Sequence, residues 1–226
     1  PQAVSNYEMG LVFEELIRRF MESSKETAGE HFTPREVIRL MVGLLFSDDA
    51  ENLAGPAPMR QVYDPTCGTG GMLSVAEEWM QEHAPHVKLT LAGQEQNAET
   101  YAIAKADMLI KGQNVHNLVH GDTLTNPGLP GQTFSYCLAN PPFGVDWKVQ
   151  REKVEAERER DGNTGRFAAG LPPVNDGSML FLQHLVSRMH PVSQGGGRAA
   201  IVLNGSPLFT GGASSGPSEI RRHLVE

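Results

Sequence analysis

The sequence predicts an α/β fold in which a doubly wound, mainly parallel β-sheet is covered by helices on both faces. From position 61 onward, short apolar runs alternate with longer segments whose apolar residues recur at helical spacing. Parallel strands need long crossover connections, which are usually helices, so this alternation indicates a parallel sheet. Polar or glycine-rich residues follow four of the apolar runs, at the positions where open parallel sheets bind ligands.

The individual elements follow from apolar patterning and from helix start and stop signals. We predict strands at 61–64, 88–93, 117–120, 134–139 and 198–203. We predict helices at 71–83, 97–111 and 178–190, because Gly112 and Pro191 follow the last two of these segments as typical stop signals.

The first 28 residues are expected to form a helical leader that ends a separate helical domain. Apolar residues at positions 9, 12, 13, 16, 17 and 20 predict an amphipathic helix with one apolar face. The main domain is expected to span residues 29–226. Its first helix should start with a capping box formed by Thr33 and Glu36, with Pro34 at the first helical position.

A charged insert at 145–175 interrupts the strand–helix alternation. We expect a solvated helix and loop for most of its charges, and the alternative is a mobile flap over the adjacent site. The segment 205–218 is rich in glycine, serine and proline, which predicts a loop. A further helix is expected at 217–226.

Composition restricts the class of protein. The net charge of −8 argues against a chain that holds nucleic acid by its own electrostatics, which would need clustered lysine and arginine. Cys67 and Cys137 are too few for a disulfide framework, and neither they nor the eight histidines show metal-ligand spacing, so no metal site is expected. With no signal-peptide pattern and no apolar run of about 20 residues, we expect a reduced, cytoplasmic setting without membrane contact.

Four polar residues stand at the predicted carboxyl ends of four strands. They are Asp64, Glu95, Asp122 and Asn140. Since the ends of parallel strands share one edge of the sheet, we expect these side chains to lie around a common ligand site. A capped turn or a helix dipole would explain any one of them alone, but not all four together.

The turn after Asp64 reads DPTCGTGG, and the helix that follows should present free backbone amides to a ligand. Its glycines do not complete a dinucleotide fingerprint, since Leu73 stands where the last glycine would be. No Gly-Lys-Ser/Thr follows either, so the turn is not a P-loop.

GEHFTPREVI, DPTCGTGGML, GQEQN, GDTL and ANPPFG, in this order, resemble the adenine-N6 DNA methyltransferases. The resemblance is closest to the modification (methylase) subunit of type I restriction–modification systems, and it spans almost the whole chain. It implies the Rossmann-like fold of S-adenosylmethionine-dependent methyltransferases. Relative to that family, we expect the chain to lack most of an N-terminal helical domain and the antiparallel strands that close the sheet.

The resemblance implies that S-adenosylmethionine lies across the strand ends. Its methionine end should contact Glu30, His31, Phe32, Thr33, Pro34 and Arg35. The backbone around Thr69, Gly70 and Gly71 should line the approach to the cofactor, and Asp64 belongs to the same cofactor-binding set. Glu95 should bind the ribose hydroxyls and Asp122 the adenine amine.

The resemblance also assigns the catalytic residues to the NPPF segment. Asn140 and the carbonyl of Pro141 should accept both hydrogens of the target amine, while Pro142 stiffens the turn. Phe143 should stack on an adenine flipped out of the duplex. Methyl transfer then depends on positioning and electrostatics, and it requires neither a metal nor a covalent enzyme intermediate.

The implied partners are double-stranded DNA, a specificity subunit, a restriction subunit and a second copy of the methylase subunit. The acidic balance fits a subunit that borrows target recognition from another chain. A methyltransferase for protein glutamine or RNA is an alternative, since Asn-Pro-Pro-aromatic motifs serve any planar amide or amine. A non-catalytic scaffold that binds the cofactor is a second alternative. A dinucleotide oxidoreductase is the weakest, because the third glycine is missing.

Overall fold

The computed structural model describes residues 9–10, 12–13, 15–17, 19, 33–55 and 59–226. In this part of the chain, one parallel sheet is formed by β1 (Met59–Asp64), β2 (Lys88–Glu95), β3 (Leu118–His120), β4 (Tyr136–Ala139) and β5 (Arg198–Ile201). The strand order is β3-β2-β1-β4-β5. The chain runs outward from β1 to β3 and returns to the other side of β1 for β4. This reversal makes a topological switch point, the usual ligand position in such sheets. The predicted doubly wound parallel sheet is confirmed.

Helices flank the sheet on both faces. Successive residues of a strand point to opposite sides of the sheet, so neighbouring apolar residues pack in two different cores. Val62 packs in a core with helices Arg35–Ser47, Gly71–His83 and Ala98–Ile110. Tyr63, the next residue, packs on the other side in a core with Leu185 of helix Ser178–Arg188. The other described helices are Ala50–Leu53, Arg151–Asp161, Ser206–Phe209 and Gly216–Val225, and 3-10 turns lie at Gly162–Thr164 and Val192–Gln194. None of the helices in the described ranges has the length and apolar character to cross a membrane.

The start of the main domain differs from the prediction. The carbonyl of Pro34 accepts the N–H groups of Val37 and Ile38, so Pro34 is the N-cap and the helix begins at Arg35. No side chain caps this helix, and the predicted capping box is therefore wrong. Thr33 therefore lies outside the helix, and its hydroxyl accepts a hydrogen bond from Asn140 instead of capping the helix. Glu30, His31 and Phe32 lie outside the described residues.

The predicted apolar face of the first helix is largely exposed. The described residues between positions 9 and 19 are helical. However, Met9, Val12 and Leu16 are each more than half exposed, and Phe13 and Ile17 are half-buried. Helical spacing therefore predicted the element correctly but did not predict how deeply its apolar face is buried.

The charged insert is less solvated than predicted. Most charges of helix Arg151–Asp161 are exposed, as expected, but Val154 is buried in that helix. Trp147 and Phe167 are also buried, and they pack with Leu124 and Leu180 in a separate small core. Residues on both sides of the helix thus anchor the insert to the rest of the domain.

The glycine- and proline-rich tail is also more ordered than predicted. A short helix occupies Ser206–Phe209, and a second helix, Gly216–Val225, begins before the predicted loop ends. Pro217 is compatible with this second helix because it lies in the first turn, where its missing N–H has no helical partner to lose.

Candidate functional site

A cavity of about 460 Å³ lies at the carboxyl ends of strands β1 to β4. It brings together five of the predicted site residues, namely Glu95, Asp122, Asn140, Pro141 and Pro142. The rest of its lining comes from segments next to these residues and from one helix across the site: Pro65, Thr66, Gly68, Gln96, Asn97, Thr100, Thr123 and Phe181.

Glu95 joins the glycine-rich turn to the end of β2. Its Oε2 accepts the backbone N–H of Gly68 at 2.9 Å, and its Oε1 accepts the N–H of Asn97 at 2.7 Å. Asn97 in turn caps helix Ala98–Ile110, because its side-chain oxygen accepts two N–H groups of the first turn. The carboxylate is therefore held in place at the cavity wall.

Asp64 does not line the cavity. Its carboxyl is buried beneath the turn, and Oδ1 accepts the backbone N–H of Thr66 at 2.9 Å. Burial, opposed by the Thr66 hydrogen bonds and reinforced by the charge of Glu95, raises the pKa of the Asp64 carboxyl to about 7. Asp64 therefore shapes the turn from below. Burial likewise raises the pKa of the nearby Cys67 thiol well above its usual value, so Cys67 is an inert core residue.

Asp122 lines the cavity with both carboxylate oxygens already hydrogen bonded. Its Oδ1 accepts the N–H of Leu124 at 2.8 Å, which closes a tight turn after β3. Its Oδ2 accepts Nε2 of Gln150 at 3.0 Å, a contact from the charged insert. Asp122 thus has the turn-capping role that an isolated strand-end aspartate often has, and it also stands at the site.

Asn140 connects the cavity to the segment before the first main-domain helix. Its Nδ2 donates to the hydroxyl Oγ1 of Thr33 at 2.7 Å. Pro141 is buried beside it and Pro142 is half-buried, and both line the cavity. Phe143 is half-buried and is not among the residues that line this cavity. Asn140, Pro141 and Pro142 of the NPPF segment therefore contribute to the strand-end cavity.

The remaining predicted residues lie near the cavity without lining it. Thr69, Gly70 and Gly71 continue the turn into helix Gly71–His83, and Gly70 has a φ of 88°, which favours glycine. Arg35 pairs with Glu78 of that helix, with Nη2 2.5 Å from Oε2. This ion pair ties helix Arg35–Ser47 to the helix that follows the glycine-rich turn, and so supports the position of Thr33.

Sequence reasoning missed Phe181 and the polar residues that hold the cavity wall. Phe181 lies on helix Ser178–Arg188, four residues before the buried Leu185, so helical spacing groups it with the apolar face and gave no separate signal. Gln94 is fully buried, and its side chain bonds the backbone of Gly121, Asn126 and Gly128. Nothing in the sequence pattern around Gln94 indicated this role.

Comparisons with known proteins agree on the kind of molecule. The N-6 DNA methylase family model matches residues 5–226. The methylase subunit of the type I restriction enzyme HindI from Haemophilus influenzae is 26% identical over 219 residues, which cover 96% of this chain and 44% of that relative. The chain spans less than half the length of the curated relatives that it matches.

Two solved structures share the fold. The crystal structure of a type I restriction–modification methyltransferase subunit from Streptococcus thermophilus matches with a TM-score of 0.75 and 27% identity, covering 97% of this chain and 43% of that one. A Listeria monocytogenes protein described as a class I S-adenosylmethionine-dependent methyltransferase matches with a TM-score of 0.70 and 16% identity, over 98% of this chain and 59% of that one. At that identity the second match shows the fold alone. The predicted Rossmann-like methyltransferase fold is confirmed.

Proposed function

The chain belongs to the N-6 DNA methylase family, and on this basis we propose that it is the catalytic part of a type I modification subunit. It transfers a methyl group from S-adenosylmethionine to the N6 amine of an adenine flipped out of double-stranded DNA. One observation carries the proposal: Asn140 and Pro141 line the same strand-end cavity as the carboxylates of Glu95 and Asp122. Groups suited to an amine and groups suited to a nucleoside therefore meet at one place.

The residues of the cavity fit the proposed cofactor. Glu95 is an anchored carboxylate that suits ribose hydroxyls, and Asp122 suits an adenine amine. Pro65, Pro142 and Phe181 give the cavity apolar wall area, which a flat purine requires. S-adenosylmethionine, when bound, supplies an electrophilic methyl group on a sulfonium. Thr69, Gly70 and Gly71 carry the backbone approach to it, and residues 30–35 complete its methionine end.

Asn140 and Pro141 act on the acceptor. An exocyclic amine is a poor nucleophile because its lone pair is delocalised into the ring. The Asn140 side-chain oxygen and the Pro141 carbonyl accept the two amine hydrogens, which favours a tetrahedral nitrogen with its lone pair aimed at the methyl group. Proline fixes the backbone of this segment in advance, so little ordering is needed when the base arrives.

Phe143 receives the flipped base. Phe143 is half-buried, does not line the cofactor cavity and follows Asn140 by three residues, so stacking of its ring on a purine would hold the amine near Asn140. The net charge of −8 does not suit unaided DNA binding, so a specificity subunit supplies most of the phosphate contacts. The assembled system also contains a restriction subunit and a second copy of the methylase subunit, and it acts in the cytoplasm. Residues 29–226 form the catalytic domain.

Transfer of a labelled methyl group tests the class of acceptor. The full-length protein, assembled with its specificity subunit, is incubated with labelled S-adenosylmethionine and with DNA, RNA or protein. We expect the label in DNA, and 6-methyladenine as the labelled nucleoside after digestion. Label in RNA or in protein glutamine would replace the DNA proposal with that alternative. Cofactor binding without transfer to any acceptor would favour a non-catalytic scaffold.

A further inference from the structure

Arg166, in the charged insert, uses all five of its N–H donors in partly buried contacts. Nε and Nη2 donate to the two carboxylate oxygens of Glu157, at 2.6 and 2.8 Å. Nη2 also donates to the carbonyl of Leu124 and Nη1 to that of Thr123, both at 2.8 Å. Nη1 further contacts Nδ1 of His184 at 2.7 Å. The Arg166 side chain is only 7% exposed. A guanidinium has five donors in a fixed planar fork, so this arrangement is specific to arginine.

The carbonyls that Arg166 holds belong to the wall of the proposed cofactor site. Thr123 lines the cavity, and its hydroxyl donates to the carbonyl of Pro65, another lining residue, at 2.6 Å. This wall follows β3, which has three residues and lies at the edge of the sheet. A short edge strand gives the following segment little support of its own, and Arg166 supplies contacts that the sheet does not.

Gln150 holds the same wall from the other end of the insert. Its Nε2 donates to Oδ2 of Asp122, while Oδ1 of Asp122 accepts the Leu124 N–H. These two bonds fix both oxygens of the Asp122 carboxylate, so its rotation is restricted. Trp147 is buried three residues before Gln150, and Phe167 is buried next to Arg166, so both contacts stand on anchored positions.

The network continues from Arg166 into the core through His184. Burial, and then the charges of Arg166 and Arg188, lower the pKa of His184 well below its usual value, so this histidine is neutral. Its Nδ1 accepts from Arg166, and its Nε2 lies 3.0 Å from the hydroxyl of Tyr63 on β1. Arg166 therefore joins the insert, the wall after β3 and the central strand of the sheet.

We propose that Gln150 and Arg166 are positioning residues that set the Asp122–Leu124 wall, so that the Asp122 carboxylate is oriented toward the adenine amine of the cofactor. The insert is then a fixed part of the cofactor site and not a solvated appendage. This inference rests on the proposed function, since it takes S-adenosylmethionine as the ligand. Gln150 sets the orientation of one carboxylate, while Arg166 sets the backbone that carries it.

Binding of two nucleoside ligands to the full-length protein tests the role of Gln150. The ligands are S-adenosylhomocysteine and S-inosylhomocysteine, in which a carbonyl replaces the adenine amine. Wild type is expected to prefer the adenine form. Gln150→Ala should weaken binding of the adenine form by about tenfold and leave the inosine form nearly unchanged, so the preference falls by the same factor. A merely structural role for Gln150 would weaken both ligands alike and leave their ratio intact, and that result would overturn the inference.

Arg166→Lys tests the second residue by a different readout. Lysine keeps the charge beside Glu157 but is a point donor that does not span two carbonyls, a carboxylate and an imidazole. We expect the KM for S-adenosylmethionine to rise about tenfold while kcat at saturating cofactor is retained, under conditions where the variant is folded. Arg151→Ala is the matched control, since Arg151 makes an exposed pair with Glu155 in the same insert. An unchanged KM, or an equal effect of the control, would contradict the role of Arg166.

The outcomes separate this inference from the proposed function. If wild type binds neither nucleoside ligand, the proposed cofactor is wrong and the inference falls with it. If wild type binds both equally well, Asp122 does not read the amine, and the inference alone is overturned. If the Arg166→Lys variant does not fold, the ligand preference of the Gln150→Ala variant still tests the inference.

Discussion

The side-chain amide of Asn140 is held by the hydroxyl of Thr33, with Nδ2 2.7 Å from Oγ1. The two residues are 107 positions apart in the chain. Thr33 stands just before helix Arg35–Ser47, which the Arg35–Glu78 ion pair ties to the helix after the glycine-rich turn. Thr33 and the NPPF segment are therefore joined across the fold, and the Thr33 hydroxyl fixes the orientation of the Asn140 amide.

Thr33→Val should slow methyl transfer without weakening cofactor binding. Valine has the shape of threonine but no hydroxyl, so the Asn140 amide loses the hydrogen bond to Thr33 and is less firmly oriented. One net hydrogen bond corresponds to roughly a fivefold to tenfold fall in kcat. Thr33→Ser keeps the hydroxyl and serves as the control. A loss of S-adenosylmethionine affinity with unchanged kcat would instead favour direct contact between Thr33 and the cofactor, as the family resemblance implies.

Glu95→Gln should weaken S-adenosylmethionine binding. The carboxylate accepts the N–H groups of Gly68 and Asn97 at the cavity wall, and it is the proposed partner of the ribose hydroxyls. Losing charged hydrogen bonds at this position corresponds to roughly a tenfold to hundredfold increase in Kd, measured by calorimetry. Glu99→Gln, two residues into the next helix and exposed, is the matched control. Equal effects of the two substitutions would argue against a specific role for Glu95.

Phe143→Ala should reduce affinity for DNA that presents a flipped adenine. Stacking of a base on an aromatic ring is worth about 1–3 kcal/mol, which corresponds to a KM for DNA raised by roughly fivefold to a hundredfold. Phe143→Tyr keeps the ring and should behave like wild type. Cofactor affinity should be the same in all three proteins, because Phe143 does not line the cofactor cavity. A fall in cofactor affinity equal to the change in the KM for DNA would contradict the stacking role.

The stability of the protein should depend on pH through Asp64. The pKa of the Asp64 carboxyl is about 7 in the folded protein, compared with the ordinary value of 3.8 that applies to the unfolded chain. Between these two pH values, the folded protein keeps a proton that the unfolded chain has released. Stability should therefore be lost as pH rises from about 4 to 7, by up to roughly 1.4 kcal/mol per pH unit. Asp64→Asn removes this titration. The free energy of unfolding of the Asp64→Asn variant, relative to that of wild type, should rise between about pH 4 and 7 and level off above pH 7. If the curves of unfolding free energy against pH are parallel for the two proteins, Asp64 titrates normally.

Most of the fold could be predicted because it depends on local patterns. Apolar periodicity and stop signals gave helix 71–83 with the observed bounds, and Gly112 and Pro191 marked the ends of two others to within two residues. The strand-end residues could be grouped because parallel strands share an edge, whatever their order in the sheet. Glu95, Asp122 and Asn140 accordingly meet at one cavity.

The rest depends on contacts that local sequence does not encode. The Thr33–Asn140 hydrogen bond requires two distant segments to meet, and the threonine pattern before Pro34 suggested a local cap instead. Arg166 lies in a highly charged run whose composition is typical of a solvated surface, yet its partners lie 42 and 43 positions earlier in the chain. Burial of charge is decided by such partners, so it follows from the fold and not from composition.

Asn140→Ala, with methyl transfer and cofactor binding measured side by side, tests the account most directly. The full-length protein with its specificity subunit is assayed for 6-methyladenine in DNA and for the Kd of S-adenosylmethionine. Removing an acceptor aligned on the reacting amine should lower transfer by roughly a hundredfold to a thousandfold and leave Kd within about twofold. Asn163→Ala, an exposed asparagine of the insert, should change neither. If Asn140→Ala instead transfers methyl groups at the wild-type rate, or loses cofactor binding in proportion to activity, Asn140 does not hold the target amine.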